Sequence, residues 1–301
     1  MKVMITGGTG FLAAWLIRRL LAGGHSVRVL DRNQNYQVAR AIAGPGADSV
    51  EWRIGDVTRR TDVDDALQGC DVAVSLAGLL TPACQADPVL GAQVNLIGVL
   101  NVFEAAKAAG HRKVVYASSA GVYGPDDGKT PRPTTHYGAY KLACEGCARA
   151  YWATDGIASV GLRPFVVYGP GREGGLSAGP TLATRAAAAG QPYTIGYTGL
   201  SDLLYVDDAA AAFEAAIVQP VEGAHVFNLL GEVADVNAVI AEIRRHAPDA
   251  ELHADGPHLP IAPHLGHDNL AQVLRGLPRT RLADGIAATF AYYAASQKAT
   301  A

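Results

Sequence analysis

The sequence predicts an α/β fold built on a doubly wound parallel sheet, and three observations carry that expectation. Short β-branched runs alternate with amphipathic stretches through residues 2 to 164, a glycine-rich turn separates the first run from the first amphipathic stretch, and an aspartate closes the second run. Such alternation is what a parallel sheet covered by helices on both faces requires.

The predicted strands are Val3–Thr6, Val27–Leu30, Glu51–Ile54, Val72–Leu76, Lys113–Ala117 and Ser159–Leu162, each rich in residues that suit a buried strand. Helices are predicted between them at Phe11–Leu21, Asp62–Gln68, Pro88–Ala109 and Tyr137–Trp152. Past Pro164 the regularity weakens, and the glycine- and proline-rich segment from Tyr168 to Pro180 is expected to be a long irregular loop, a type that tends to be functional. Further helices are expected at about 181–189, 207–218, 235–246 and 280–294, with short strands at Tyr193–Ile195 and His225–Leu229. With 301 residues, 49% of them apolar, the chain suits one large unit plus a smaller appended one. We expect residues 1–164 to form a nucleotide-binding domain to which 203–228 returns, and 165–301 to form mainly a smaller C-terminal substrate-binding region.

The formal net charge is −3 and no block of Lys or Arg occurs, which argues against nucleic-acid or anionic-membrane binding and favours a small-molecule partner. No N-terminal targeting segment is evident, and no apolar run is expected to reach the roughly 18 residues needed to span a bilayer, so a cytoplasmic location is expected. The four cysteines are too sparse for a disulfide framework. Cys144 and Cys147 have Cys-x-x-Cys spacing, but they fall inside a predicted helix, where no helix N-terminus lowers a thiol pKa, and no second ligand pair follows. Packed helix residues are the expected reading.

The first strand runs into Thr6-Gly7-Gly8-Thr9-Gly10-Phe11-Leu12-Ala13 and then a helix. A diphosphate needs this arrangement: Gly7 and Gly10 let the backbone approach, and the helix N-terminus at Phe11 and Leu12 presents unpaired N–H groups. Asp31 follows the second strand at about the 20-residue spacing at which a carboxylate holds the ribose 2′-hydroxyl. It would repel a 2′-phosphate, so NAD is expected rather than NADP, with Arg32 beside it as the one contrary feature. Asp56 and Val57 suit the adenine, and Leu76, Ala77 and Gly78 suit the passage of the cofactor backbone; a turn-forming aspartate and a packing glycine explain these positions equally well. Together these features make the predicted fold Rossmann-type.

Tyr137 and Lys141 stand four residues apart, hence on one helix face. A nearby cation favours the phenolate form of a tyrosine and makes it a workable acid/base for an alcohol or carbonyl. Ser118 and Ser119 end the preceding strand, and a hydroxyl there can polarise the same oxygen.

With these motifs in this order, the chain resembles an extended short-chain dehydrogenase/reductase, the family of nucleotide-sugar epimerases and dehydratases. The resemblance covers nearly the whole length: Val94, Asn95 and Asn101 are similar to the family's fourth-helix pattern, Leu162-Arg163-Pro164 and Val167-Tyr168-Gly169-Pro170-Gly171 to the segment after the sixth strand, and Tyr205-Val206-Asp207-Asp208 and Leu277-Pro278-Arg279-Thr280 to later motifs. It implies that Tyr137 is the acid/base, that Lys141 binds the nicotinamide ribose, and that Ser119 holds the substrate oxygen. It also implies cofactor contacts at Asn95 and Pro164, substrate contacts at Ser119, Ala120, Val166 and Arg172, and a homodimer through the helices at 88–109 and 137–152.

The sequence departs from the family where a diphosphate would be held. Val166 replaces an expected asparagine, Ser201 stands where relatives often carry arginine, and no Lys or Arg occurs between Arg185 and Arg244 or between Arg245 and Arg275. Ala120 and Gly121 replace the Asp-Glu pair of the dehydratase branch, and Ala13 replaces the third glycine of the turn. His253, His258, His264 and His267 cluster with Asp255 and Asp268, but the resemblance puts a variable substrate-covering loop there and no metal is expected. We therefore expect a dehydrogenase or reductase exchanging hydride between NAD and a secondary alcohol or ketone of a polar small molecule, sugar-like or a hydroxy acid. The alternatives are an epimerase of nucleotide sugars that retains its cofactor and a catalytically silent NAD-binding sensor.

Overall fold

The chain begins at the centre of its main sheet. Strands β1 (Lys2–Thr6), β2 (Ser26–Asp31) and β3 (Glu51–Ile54) build outwards on one side, and β4 (Val72–Ser75), β5 (Lys113–Ala117) and β6 (Ala158–Pro164) on the other. Three short strands, β7 (Val166–Tyr168), β8 (Tyr193–Ile195) and β9 (Leu200–Tyr205), intervene before β10 (Ala224–Leu229) pairs with β6 and completes seven parallel strands. Strands β11 (Glu232–Asp235) and β12 (Leu252–Ala254) follow; β11, β9 and β7 form a small mixed sheet, and β12 pairs with β8. The computed structural model describes residues 1–266 and 268–300.

The direction of winding reverses between β1 and β4. Thr6 stands in register with Leu30 on one side and Ser75 on the other, so the turns after β1, β2 and β4 open together at the carboxyl edge. Such a switch point leaves a crevice where nucleotides bind.

Both faces of the sheet are covered because its strands are apolar on both sides. Helix Phe11–Ala22 buries Leu16, Ile17 and Leu20 completely against β1 and β2 and packs beside helix Val206–Val218. Each such side chain contributes about 1.5–3 kcal/mol relative to exposure. The opposite face holds Met4, Phe103, Tyr116 and Cys144 under helices Arg60–Leu67, Gly98–Ala108 and His136–Asp155. A third cluster, including Val166, Ile195, Ile240 and Ile286, joins the small sheets to helices Val236–Arg244 and Leu282–Thr300.

The expected helix from Pro88 is present as Pro88–Ala108, with a π-helical segment at Gln93–Ile97. Contrary to expectation, it is long and apolar enough to cross a membrane, but half of its most apolar window is buried inside the protein. Helices Gln37–Ala43 and Thr81–Ala86 and strands β7, β9, β11 and β12 were not expected from sequence. All are short or polar at their ends, and the three strands β7, β9 and β11 take their partners from distant sequence.

Candidate active site

The turn after β1 works because Gly7 has φ +73°, and a β-carbon there would lie 2.7 Å from the backbone of Ala77 in the turn after β4. Glycine therefore brings two cofactor-facing turns into contact. Gly10 caps helix Phe11–Ala22 without a side chain, and no acidic residue occupies the first helical turn, so the positive end of the helix faces the crevice unneutralised. The cleft encloses about 750 Å³ and is lined by Gly7, Thr9, Gly10, Asp31, Arg32, Asp56, Val57 and the 76–79 segment among others.

Asp31 is held at the rim by Thr9. The Thr9 amide and hydroxyl donate to Oδ2 at 3.0 and 2.8 Å, and the Asn33 amide donates to Oδ1 at 2.9 Å. Asp56 Oδ1 accepts from the Thr58 amide at 2.9 Å and its hydroxyl at 2.8 Å, while Oδ2 lies 3.7 Å from Arg32. Burial pushes the Asp56 carboxyl up, but the Thr58 donors and then Arg32 and Arg59 outweigh it and hold the group below the usual range. Both carboxylates are thus fixed in position at the cleft.

Thr135 starts helix His136–Asp155 by accepting from the Gly138 amide at 3.1 Å. Tyr137 follows immediately, and one turn on, Lys141 is buried with Nζ donating to the Ala117 carbonyl at 2.8 Å and lying 5.6 Å from the Tyr137 ring centroid. Ser119 caps a short 3₁₀ turn by accepting from the Gly121 amide at 3.0 Å. Gly121 stands between the two functional groups: a β-carbon on it would lie 3.3 Å from Ser119 Oγ and 3.7 Å from the Tyr137 ring. Gly138 makes this proximity possible, because a β-carbon there would collide with the Gly121 carbonyl.

A second cleft opens on Ser119, Gly121 and Tyr137. Leu79 lines the cofactor cleft and Leu80 this one, so the two meet along one segment. Its remaining walls come from Pro164 to Val166, from Arg172 and the 175–177 loop, and from Leu259, Pro260 and Ile261.

Beneath the serine turn runs a buried polar network. Arg163 donates Nε and Nη2 to the two oxygens of Glu145 at 2.7 and 2.6 Å, and Ser118 donates to the same carboxylate at 2.5 Å. Arg163 also donates to Tyr123 Oη at 2.5 Å, and Tyr123 donates to Asn228 at 3.1 Å. Asn228 reaches on to Asp268 and to the Gly266 carbonyl.

This arrangement has known counterparts. Residues 3–229 match the NAD dependent epimerase/dehydratase family. The chain belongs to that family. It is 30% identical to UDP-glucose 4-epimerase of Mycolicibacterium smegmatis, over 97% of this chain and 98% of the relative. UDP-glucose 4-epimerase of Thermus thermophilus, solved in complex with NAD, superposes with a TM-score of 0.83 at 28% identity, covering 97% of this chain and 99% of that one. MoeE5, solved with UDP-glucuronic acid and NAD, gives a TM-score of 0.84 at 26% identity, covering 98% and 100%. As a member of this family the chain is an NAD-dependent enzyme of the extended short-chain dehydrogenase/reductase type.

Within the family site, several expected contacts take a different form. Ala120 is fully buried with Val122, Tyr123, Ala262 and Leu265, so Gly121 rather than Ala120 faces the substrate cleft. Asn95 does not line the cofactor cleft: it accepts from the Leu79 amide and donates to the Leu79 carbonyl, both at 3.0 Å, bracing the turn from behind. Phe11 and Leu12 pack their side chains on the core and can offer the cleft only their amides. Pro164, Val166 and Arg172 line the substrate cleft.

Cys144 is buried, and burial pushes its thiol up to about 12. Among the described residues no group of three or more His, Cys, Asp or Glu could hold a metal ion, and His267 lies outside them. Sequence reasoning missed Thr9, Gly138 and the Glu145–Arg163 pair. Glu145 carried a signal, being one helical turn beyond Lys141 as Lys141 is beyond Tyr137.

Proposed function

We propose that this family member oxidises a secondary carbinol of a sugar-like substrate and re-reduces the ketone on its other face, acting as an epimerase. The observation that carries the reading is the full-length likeness to UDP-glucose 4-epimerases in sequence and fold, joined to a cleft in which Tyr137 and Ser119 flank Gly121.

Tyr137 Oη takes the carbinol proton during oxidation and returns it during reduction. Ser119 Oγ donates to the same oxygen and holds it over the phenol. Lys141, anchored on the Ala117 carbonyl, sets a positive charge beneath the ring and reaches the nicotinamide ribose. NAD held in this cleft would supply the hydride acceptor for the oxidation and the hydride donor for the reduction. Asp31, already oriented by Thr9, receives the adenosine ribose hydroxyls, while Gly7, Gly10 and the Phe11 and Leu12 amides cradle the diphosphate. Asp56 and Val57 flank the adenine, and the segment from Leu76 to Gly78 guides the cofactor towards Tyr137.

The scarcity of cations where the family holds a diphosphate favours a net dehydrogenase, and the relatives support the epimerase better. One observation favours the dehydrogenase as a second reading: Arg172 is the only Lys or Arg among the described residues lining the substrate cleft. Apolar Val89, Leu90, Ile97 and Trp152 are exposed on the helices at Pro88–Ala108 and His136–Asp155 and support a homodimer through that face. The four unpaired cysteines support a cytoplasmic location.

Incubation with NAD and a panel of sugars, uronic acids, hydroxy acids and UDP-sugars tests the reaction. Isomers formed without net NADH are expected; stoichiometric NADH supports the second reading. Tyr137→Phe should abolish turnover and leave NAD binding intact, and unchanged turnover would remove Tyr137 from the mechanism.

A further inference from the structure

We propose that the substrate cleft takes a secondary alcohol or ketone that carries one anionic group, met by Arg172, rather than a nucleoside diphosphate. The proposal rests on Tyr137 as the acid/base, and epimerisation or oxidation at the carbinol is indifferent to what the far end of the substrate carries.

Arg172 is the cation of the cleft. No Asp, Glu or His lines the cleft with it among the described residues. Its guanidinium donates to three neutral groups: the Val167 carbonyl, Ser177 Oγ at 3.0 Å and, more weakly, the Gly174 carbonyl at 3.5 Å. A guanidinium has five N–H donors, so capacity remains for a ligand. Burial lowers Arg172 to about 10, which leaves it charged at neutral pH. Arg172 is half-buried at the cleft wall, and a single carboxylate matches its guanidinium fork. Arg172 and Tyr137 line the same cleft, so that anion would sit on the same molecule as the reacting carbinol.

A diphosphate would find little else. The helix Gly179–Ala188 starts beside the cleft, but Pro180 has no N–H and the Thr181 and Leu182 amides both bond the Ala178 carbonyl. Ser201, where relatives often carry arginine, is buried and does not line the cleft. The opposing wall is apolar at Leu259, Pro260 and Ile261. It is also fixed, because the Ala262 amide bonds the Gly124 carbonyl at 2.7 Å, the Gly266 amide bonds the Gly128 carbonyl at 3.1 Å, and Ala262 and Leu265 are buried beside Tyr123.

The test is a ligand-observed NMR titration of the NAD-loaded protein with three probes: cyclohexanecarboxylate, its neutral analogue cyclohexanemethanol, and UDP. The carboxylate should bind at least about tenfold tighter than the alcohol and tighter than UDP, as expected for a charge-assisted contact. Arg172→Met should erase that preference while leaving the alcohol's affinity unchanged; Arg172→Gln serves with the same expectation if the methionine variant does not fold. UDP binding more tightly than the carboxylate, equal binding of carboxylate and alcohol, no binding of the carboxylate, or a preference that survives both substitutions would each overturn the proposal. Tyr137→Phe should bind the carboxylate as the unmodified protein does, so a failed catalytic assignment and a failed anion site give different results.

Discussion

The Glu145–Arg163 pair allows a sharp energetic test. Glu145 is 1% exposed and accepts three hydrogen bonds, two from Arg163 and one from Ser118. Glu145→Leu strands a guanidinium that is 12% exposed, and breaking a buried pair this way costs about 3–5 kcal/mol. Arg163→Leu strands the carboxylate at a similar cost and removes one of the two bonds of Tyr123 Oη. The double substitution leaves no unpaired charge, so what remains is the orphaned Ser118 hydroxyl, at about 1–3 kcal/mol, while Tyr123 keeps its bond to Asn228. The double variant should therefore be destabilised by no more than one single variant, a coupling of about 3 kcal/mol or more. Guanidinium unfolding of the four proteins, read as midpoint shifts at constant slope, measures it. Costs that simply add, to within about 0.5 kcal/mol, would refute the claim that this pair is coupled through burial.

Three further outcomes are expected. Gly138→Ala should cost about 1–3 kcal/mol through the clash with the Gly121 carbonyl and lower kcat by separating Tyr137 from Ser119; a melting temperature and kcat both unchanged would show that the contact is easily relieved. Asp31→Ala should weaken NAD binding by about tenfold or more and narrow the preference over NADP, both read by fluorescence titration; an unchanged ratio would take Asp31 out of ribose recognition. Bonds from Lys2 and then Arg28, with Arg53 adding a smaller share, hold Glu51 at about 2, so its contribution to stability is present above the ordinary carboxylate range and is lost as pH falls towards 2; Glu51→Gln should flatten the acid limb of the stability profile between those values, and an acid limb of unchanged steepness would contradict it.

The parts of this protein legible in its sequence are those whose determinants are local. Gly7, Gly10 and Asp31 lie within one β-α-β passage, where turn, helix end and strand end follow each other along the chain, and the structure puts all three in one cleft. Tyr137 and Lys141 share a helix face for the same reason. Asn95 shows the limit: its position in a motif is visible, but not that its side chain turns back onto Leu79. Ala120 shows it again, since a neighbour of the serine in sequence faces the core when the 3₁₀ turn rotates it away.

The substrate end is least legible because nothing periodic encodes it. Leu259, Pro260 and Ile261 reach the cleft only because the loop that carries them is bonded, backbone to backbone, to Gly124 and Gly128 far upstream. Leu80 and Arg172 meet across another such gap, with Gly175 between them: a β-carbon there would lie 3.1 Å from Leu80 and 3.4 Å from the Arg172 guanidinium. Family membership is carried by residues 3–229, which contain the whole proposed cofactor cleft and Tyr137, whereas the apolar wall at 259–261 lies beyond that match. The proposed chemistry at the carbinol therefore rests on residues inside that match, and the proposed identity of the molecule bearing it rests on Arg172 inside the match together with the wall beyond it. Likeness to UDP-glucose 4-epimerases bears strongly on the first, while the second depends on one guanidinium and a wall of aliphatic side chains.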